Sequence, residues 1–258
     1  MAEGHALLGT NRLLSTLPPE VYREIAPRLE QVSLGLRQIL YESPKPIEYV
    51  YFPIDGVMSM LAEMEEDSLV EVATVGNEGM VGLPLFLGAT LTPGVAFSQV
   101  PGDALRRAAA SFIEATNNSG PLPKLLHRYT QALMVQISQG TACNRIQEIE
   151  QRCARWLLLT HDRVGLDEFS LTQEFLGQML GVRRATVNSI AVRFQDAGYI
   201  RIQPRANPNS RQKTIGGRIV PLLFHNSRRV RPYAGSTPGC RARRQSLASR
   251  RIVSRSMK

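Results

Sequence analysis

Residues 170–200 read SLTQEFLGQMLGVRRATVNSIAVRFQDAGYI, and they hold the side chains best suited to act on another molecule. Arg183, Arg184, Thr186, Asn188, Ser189 and Arg193 can all hydrogen-bond to phosphates or base edges. Arginine is the commonest reader of guanine O6 and N7. Thr172 and Gln173 stand just ahead of this group, and Ala185 shares its side of a helix. That chemistry is recognition, not bond-making. The chain has no GxSxG, P-loop or HExxH motif and no Cys/His pair in a recognisable setting, so no enzyme is expected. His5, His127, His161 and His225 are scattered, and Cys143, Cys153 and Cys240 lack CxxC spacing, so neither a metal nor a cofactor is expected. The acidic run at 63–67 (EMEED) reads as a solvated hairpin turn.

Those side chains need a rigid support, and the local pattern supplies one. Ser170 or Thr172 can cap a first helix whose inner side is Phe175, Leu176, Met179 and Leu180. Gly181 falls where a tight turn between helices needs a residue free of Cβ strain. In the helix that follows, Val187, Ile190, Ala191 and Phe194 form an inner stripe, and Gly198 suits a left-handed cap. The polar set lies opposite that stripe, with Arg184 at the helix start. The pattern is that of a helix-turn-helix, with a solvated helical hairpin of some other all-α domain as the alternative.

The remaining chain divides by its periodicity. Residues 13–30 read as an opening helix that starts at Pro18 and Pro19. Short apolar runs at 38–41, 49–52, 57–60 and 70–73, punctuated by Gly and Pro, indicate a small β-sandwich or jelly roll. The uncharged stretch 79–102 is long enough to span a membrane. It holds five Gly and three Pro, so it reads instead as short buried strands joined by turns. With no signal-peptide pattern at the start, a cytoplasmic location is expected. Helical character dominates from 122 to 162, where Leu126, Tyr129, Leu133, Gln136, Gly140 and Cys143 form a seam. The seam fits a partner helix, or packing on the chain's own sandwich. Residues 1–200 carry 16 basic and 22 acidic side chains, whereas 201–258 carry 15 basic and none acidic. The net charge of +9 therefore belongs to the tail, whose composition predicts disorder.

Thr172 to Gly181, followed by Arg184, Thr186-Val187 and Gly198-Tyr199-Ile200, resembles the winged helix-turn-helix of the cyclic-AMP receptor/FNR (Crp/Fnr) family of transcription regulators. Arg152-Cys153-Ala154-Arg155-Trp156-Leu157-Leu158 is similar to the end of that family's dimerisation helix. Tyr51-Phe52-Pro53-Ile54-Asp55-Gly56-Val57 and Gly76-Asn77-Glu78-Gly79-Met80-Val81-Gly82 resemble elements of its cyclic-nucleotide-binding-type jelly roll. The resemblance implies an α+β chain in four parts. These are a jelly-roll effector-type domain (10–120), a dimerisation helix (121–163), a winged helix-turn-helix DNA-binding domain (164–220) and a basic tail (221–258). It implies a homodimer through the 121–160 helix on a roughly palindromic double-stranded DNA site, no membrane partner, and RNA polymerase as a further candidate partner. Thr172, Gln173, Arg183, Arg184, Ala185, Thr186, Asn188, Ser189 and Arg193 would be its DNA-binding residues.

Three departures qualify that picture. Relatives that bind cyclic AMP use a Glu and an Arg in the phosphate-binding turn; here Leu83 replaces the Glu and no Arg follows. Between Lys45 and Arg106 there are nine acidic residues and no basic one, a poor host for an anion, so the effector is not expected to be cyclic AMP. In the recognition helix Ala185 and Ser189 stand where many relatives have Glu and a second Arg, so the preferred DNA sequence should differ. Past 203 apolar periodicity stops, which suggests either a basic arm that adds non-specific DNA affinity or a tail read out of its ancestral frame, with a damaged wing. The competing function is a signalling or scaffold protein with a degenerate sensor barrel and no sequence-specific DNA binding.

Overall fold

A computed structural model describes residues 11–64, 69–165, 169, 171–204 and 217–220, with 202–204 and 217–220 described as backbone. Helix α1 (Pro19–Ile25) begins at a proline, whose fixed φ and missing N–H suit a first helical position. It is shorter than the helix expected over 13–30. Leu14–Thr16 and Ala26–Arg28 are separate 3-10 turns, because Pro18, Pro19 and Pro27 remove the donors a continuous helix would need. Strand β1 (Glu30–Leu34) starts where that helix was expected to end.

The four apolar runs become β2 (Ile39–Glu42), β3 (Tyr49–Pro53), β4 (Val57–Glu63) and β5 (Leu69–Val75). Glu63 pairs with Leu69, which makes β4 and β5 a hairpin; most of the acidic run lies in its connection, and 65–68 fall outside the described residues. The uncharged stretch yields one helical turn, α2 (Leu83–Phe86), and then β6 (Val95–Val100). Strand β7 (Gly102–Ala108) follows. The strands form two antiparallel sheets, β1-β7-β3 and β2-β6-β4-β5, and among the described residues the pairings leave both sheets open rather than closing a barrel. Val50, Phe52, Met58, Met80 and Leu105 are buried in the core of this domain.

Helix α3 (Ala109–Thr116) leads into α4 (Pro121–Ile146) and α5 (Ile149–Val164). The single helix expected over 121–163 is therefore two. Gln147 turns to extended backbone, and Glu148 starts α5 with a capping box, in which its side chain accepts from the backbone of Gln151 and the Gln151 side chain accepts from its N–H. The first four seam positions, Leu126 to Gln136, pack on the chain's own β-domain. Leu126, Tyr129 and Leu133 belong to the β-domain core, Tyr129 donates its hydroxyl to the Met80 carbonyl at 2.8 Å, and Gln136 donates to the Thr74 carbonyl at 2.9 Å. No helix among the described residues is long and apolar enough to cross a membrane.

A second core joins the parts. Val57, Leu61, Phe97 and Val100 of the larger sheet pack with Ala154, Trp156 and Leu157 of α5 and with Phe175, Leu176 and Leu180 beyond it. Polar links run beside this core. Arg163 of α5 pairs with Glu78 at 2.8 Å, and burial alone would push the Glu78 carboxyl up. The charge of Arg163, aided by backbone amides, outweighs that and holds the carboxyl below its ordinary value.

Candidate nucleic-acid interface

Helix α6 (Gln173–Leu180) begins at Thr172, whose hydroxyl accepts from the Phe175 N–H at 3.1 Å; Thr172 is thus the cap, and Ser170 lies outside the described residues. Gly181 takes a left-handed φ of 66° and closes the helix, as the sequence required. The chain then turns so tightly that a Cβ on Gly177 would lie 2.9 Å from the Val182 carbonyl oxygen, closer than packing allows. Helix α7 (Arg184–Asp196) follows, with Gly198 at φ 71° beyond its end.

Val187, Ile190, Ala191 and Phe194 are all buried, so the inner stripe packs as expected. That rotation fixes the opposite face. Arg183, Arg184, Ala185, Asn188, Ser189 and Arg193 are exposed, and Thr186 is half-buried at the margin. The N-terminus of α7, which has no side-chain cap, starts beside Arg183 and Arg184, and its dipole adds partial positive charge there.

Not every expected side chain is on that face. Gln173 is buried, and its amide donates to Asn188 Oδ1 at 3.1 Å, which positions Asn188 rather than reaching outward. Thr172 is occupied by its capping bond. Ser189 donates to the Ala185 carbonyl at 3.1 Å, and Arg193 pairs with Glu150 of α5 at 2.9 Å. The last pair is half-exposed, and sequence spacing could not have revealed it, because Glu150 lies 43 residues away.

The flank of the motif carries a three-stranded antiparallel sheet in the order β8 (Leu171–Thr172), β10 (Gly217–Val220), β9 (Arg201–Pro204). Arg201 pairs with Val220 and Pro204 with Gly217. Two strands of a wing are therefore paired, while 205–216, which connect them, lie outside the described residues. The basic tail 221–258 lies outside the described residues.

A β-domain, a long helix and a helix-turn-helix flanked by a small antiparallel sheet follow one another in that order. Residues 151–207 match the family model described as a Crp-like helix-turn-helix domain. The fold is similar to that of a transcriptional regulator of the Crp/Fnr family from Eubacterium rectale, at a TM-score of 0.63 and 15% identity, with 86% of this chain and 97% of that one covered. FixK2 from Bradyrhizobium japonicum gives a TM-score of 0.63 at 14% identity, covering 81% and 98%. CLP of Xanthomonas campestris, described as a c-di-GMP-responsive global regulator, gives 0.57 at 13%, covering 77% and 98%. No curated protein matches the sequence. Residues 151–207 are thus of the Crp-like helix-turn-helix type, and the chain shares the fold of these solved structures.

Proposed function

We propose that the chain regulates transcription as a homodimer on a roughly palindromic DNA site, with α7 in the major groove. The observation that carries this reading is the exposed face of α7, where Arg183, Arg184, Ala185, Asn188, Ser189 and Arg193 lie together opposite a fully buried stripe. Arg184 at the helix start is the base reader, and Thr172, Gln173 and Thr186 support the face from its edge. The chain divides into an effector-type domain (10–120), connecting helices (121–163) and a DNA-binding domain (164–220), and the two open sheets correspond to the jelly roll. Selection of DNA from a random pool by the full-length protein, at two salt concentrations, tests the reading. Enrichment of a palindromic motif is expected, and Arg184→Ala should lower affinity for it by about 10- to 100-fold, as loss of one bidentate base contact does. Equal binding to all sequences would instead favour the basic tail as the sole nucleic-acid contact.

The dimer would form through the outward side of α4, where Met134, Val135 and Ile146 are 59%, 45% and 70% exposed. Large apolar side chains exposed on one helix are what a second copy of the same helix would cover. The double substitution Met134→Glu, Val135→Glu should convert the dimer to a folded monomer in sedimentation equilibrium. An unchanged mass would move the interface elsewhere.

The effector is not cyclic AMP. Leu83, at the position of the relatives' Glu, is buried beneath the turn, and a Cβ on Gly82 (φ 99°) would sit 2.9 Å from Val50. The nearest basic side chains after the turn are otherwise engaged. Arg106 pairs with Glu30 and stacks on Tyr49, while Arg107 is buried with its guanidinium on Ser111.

A further inference from the structure

Where α1 and the turn after it meet α3 and the start of α4, they border a cleft of about 510 Å³. Arg107, near the end of β7, lines it and is only 4% exposed. Its Nε donates to Ser111 Oγ at 3.0 Å, and its Nη2 donates to the Ser111 carbonyl at 3.0 Å. Both acceptors are neutral. Among the described residues no carboxylate comes within ion-pair distance of this guanidinium, although a buried arginine is almost always paired with one. The third nitrogen, Nη1, has no acceptor among the described residues. It is not sealed from solvent, so an acceptor from outside the chain can reach it from the cleft.

Arg28 stands beside it, with Nη1 at 3.5 Å from the same Ser111 hydroxyl and 2.7 Å from Glu114. Two guanidinium groups thus converge on one hydroxyl, and the carboxylate nearby is committed to Arg28. Burial, with the charge of Arg28 added, lowers the Arg107 guanidinium from its ordinary value, as expected of a cation short of counter-charge. The start of α4 adds to the positive side. Gly120 gives this 26-residue helix no side-chain cap, and Pro121 and Pro123 leave Leu122 as the one N–H donor among its first three residues. Negative charge comes from α1, whose Glu24 lines the cleft, is exposed, and has no ion-pair partner among the described residues. The lining charges therefore cancel, with Arg28 and Glu114 paired and Arg107 and Glu24 each left over.

We infer that this cleft binds a free α-amino acid, its carboxylate on Arg107 Nη1 and the start of α4, its ammonium on Glu24. A lone anion would leave Glu24 facing it, and a lone cation would leave Arg107 unpaired, whereas a zwitterion answers both. The volume lies within the usual range for small-molecule sites, and Ile25 and Leu122 offer the ligand's side chain an apolar surface.

Thermal melts of the full-length protein with each of the twenty common amino acids, at matched ionic strength and neutral pH, test the assignment. No DNA is involved, so its failure is distinct from failure of the operator-binding reading. At least one amino acid is expected to raise the melting temperature saturably, and calorimetry should show one molecule bound per chain. Its decarboxylated amine and its deaminated acid should each bind at least about tenfold more weakly, as loss of one charge-assisted hydrogen bond implies. Glu24→Gln removes an exposed carboxylate, so it should melt as the natural chain does and bind the amino acid at least about tenfold more weakly. Arg107→Met should abolish binding, while Arg107→Lys should retain part of it. The inference is overturned if none of the twenty acts, if the deaminated acid binds as tightly as its parent, or if affinity is unchanged in Glu24→Gln.

Discussion

Glu71→Gln is expected to make the protein more stable than the natural chain at pH 8, by up to about 3 kcal/mol, while changing little at pH 4.5. Burial at the junction of β5 and α5 pushes the Glu71 carboxyl up from 4.5 to about 7, against the opposing effects of Ser59, Trp156 and Arg163. The hydrogen bonding gives the same answer independently. Ser59 Oγ lies within bonding distance of both Glu71 Oε2 and Gln99 Oε1, yet a hydroxyl has a single proton. All partners are satisfied when a protonated Glu71 donates to Ser59, Ser59 donates to Gln99 Oε1, and Gln99 donates to Thr160 at 3.2 Å. Between pH 4.5 and 7 the folded chain thus keeps a proton that the unfolded chain has released, so this group's contribution falls as pH rises through that window. A shift of this size corresponds to about 3 kcal/mol at full ionisation. Glutamine reproduces the protonated form at every pH, with its amide in place of the acid proton. Urea denaturation of both proteins from pH 4.5 to 8 checks this through their difference. A difference that stays constant with pH would mean that Glu71 keeps an ordinary pKa in the folded protein.

That network also marks where sequence reading reaches its limit. Capping and turn residues act within a few positions of themselves, so Thr172, Gly181 and Gly198 declared the helix-turn-helix, and a stripe of four apolar residues fixed which face of α7 looks outward. Strands two to five were legible because their apolar runs stop at Gly and Pro. The α4 seam was visible as a period but not as a direction, since a stripe of Leu and Tyr suits its own sheet as well as a partner helix. The break at Gln147 was missed because the residues around it are ordinary helix formers, and the signal that remained was the Glu148–Gln151 capping pair. Glu71, Trp156 and Arg155 could not have been associated from spacing, because β5 and α5 meet only through the second core. Contacts between domains carry little local periodicity to read.

Phe175→Ala should cost about 3–5 kcal/mol, the range for truncating a buried aromatic, and it tests whether the helix-turn-helix is held against the β-domain. Phe175 is 4% exposed, and it is buried in the core that the helix-turn-helix shares with α5 and the larger sheet. Its ring lies edge-on to Phe97 of β6 at 5.8 Å and to Trp156 of α5 at 6.5 Å, and the Arg37 guanidinium stands 5.4 Å above it. Three elements distant in sequence thus converge on one side chain of the DNA-binding unit. The test is a double-mutant cycle with Phe97→Ala, read by urea denaturation. A coupling of about 1 kcal/mol is expected, comparable to aromatic pairs elsewhere and above the few tenths at which independent sites add. Additive losses would mean that the two rings do not meet in solution and that the helix-turn-helix moves free of the sheet. Coupled losses would make the Phe97–Phe175 contact a mechanical link, through which any ligand that shifts β6 or α5 also shifts α6, and with it the face of α7.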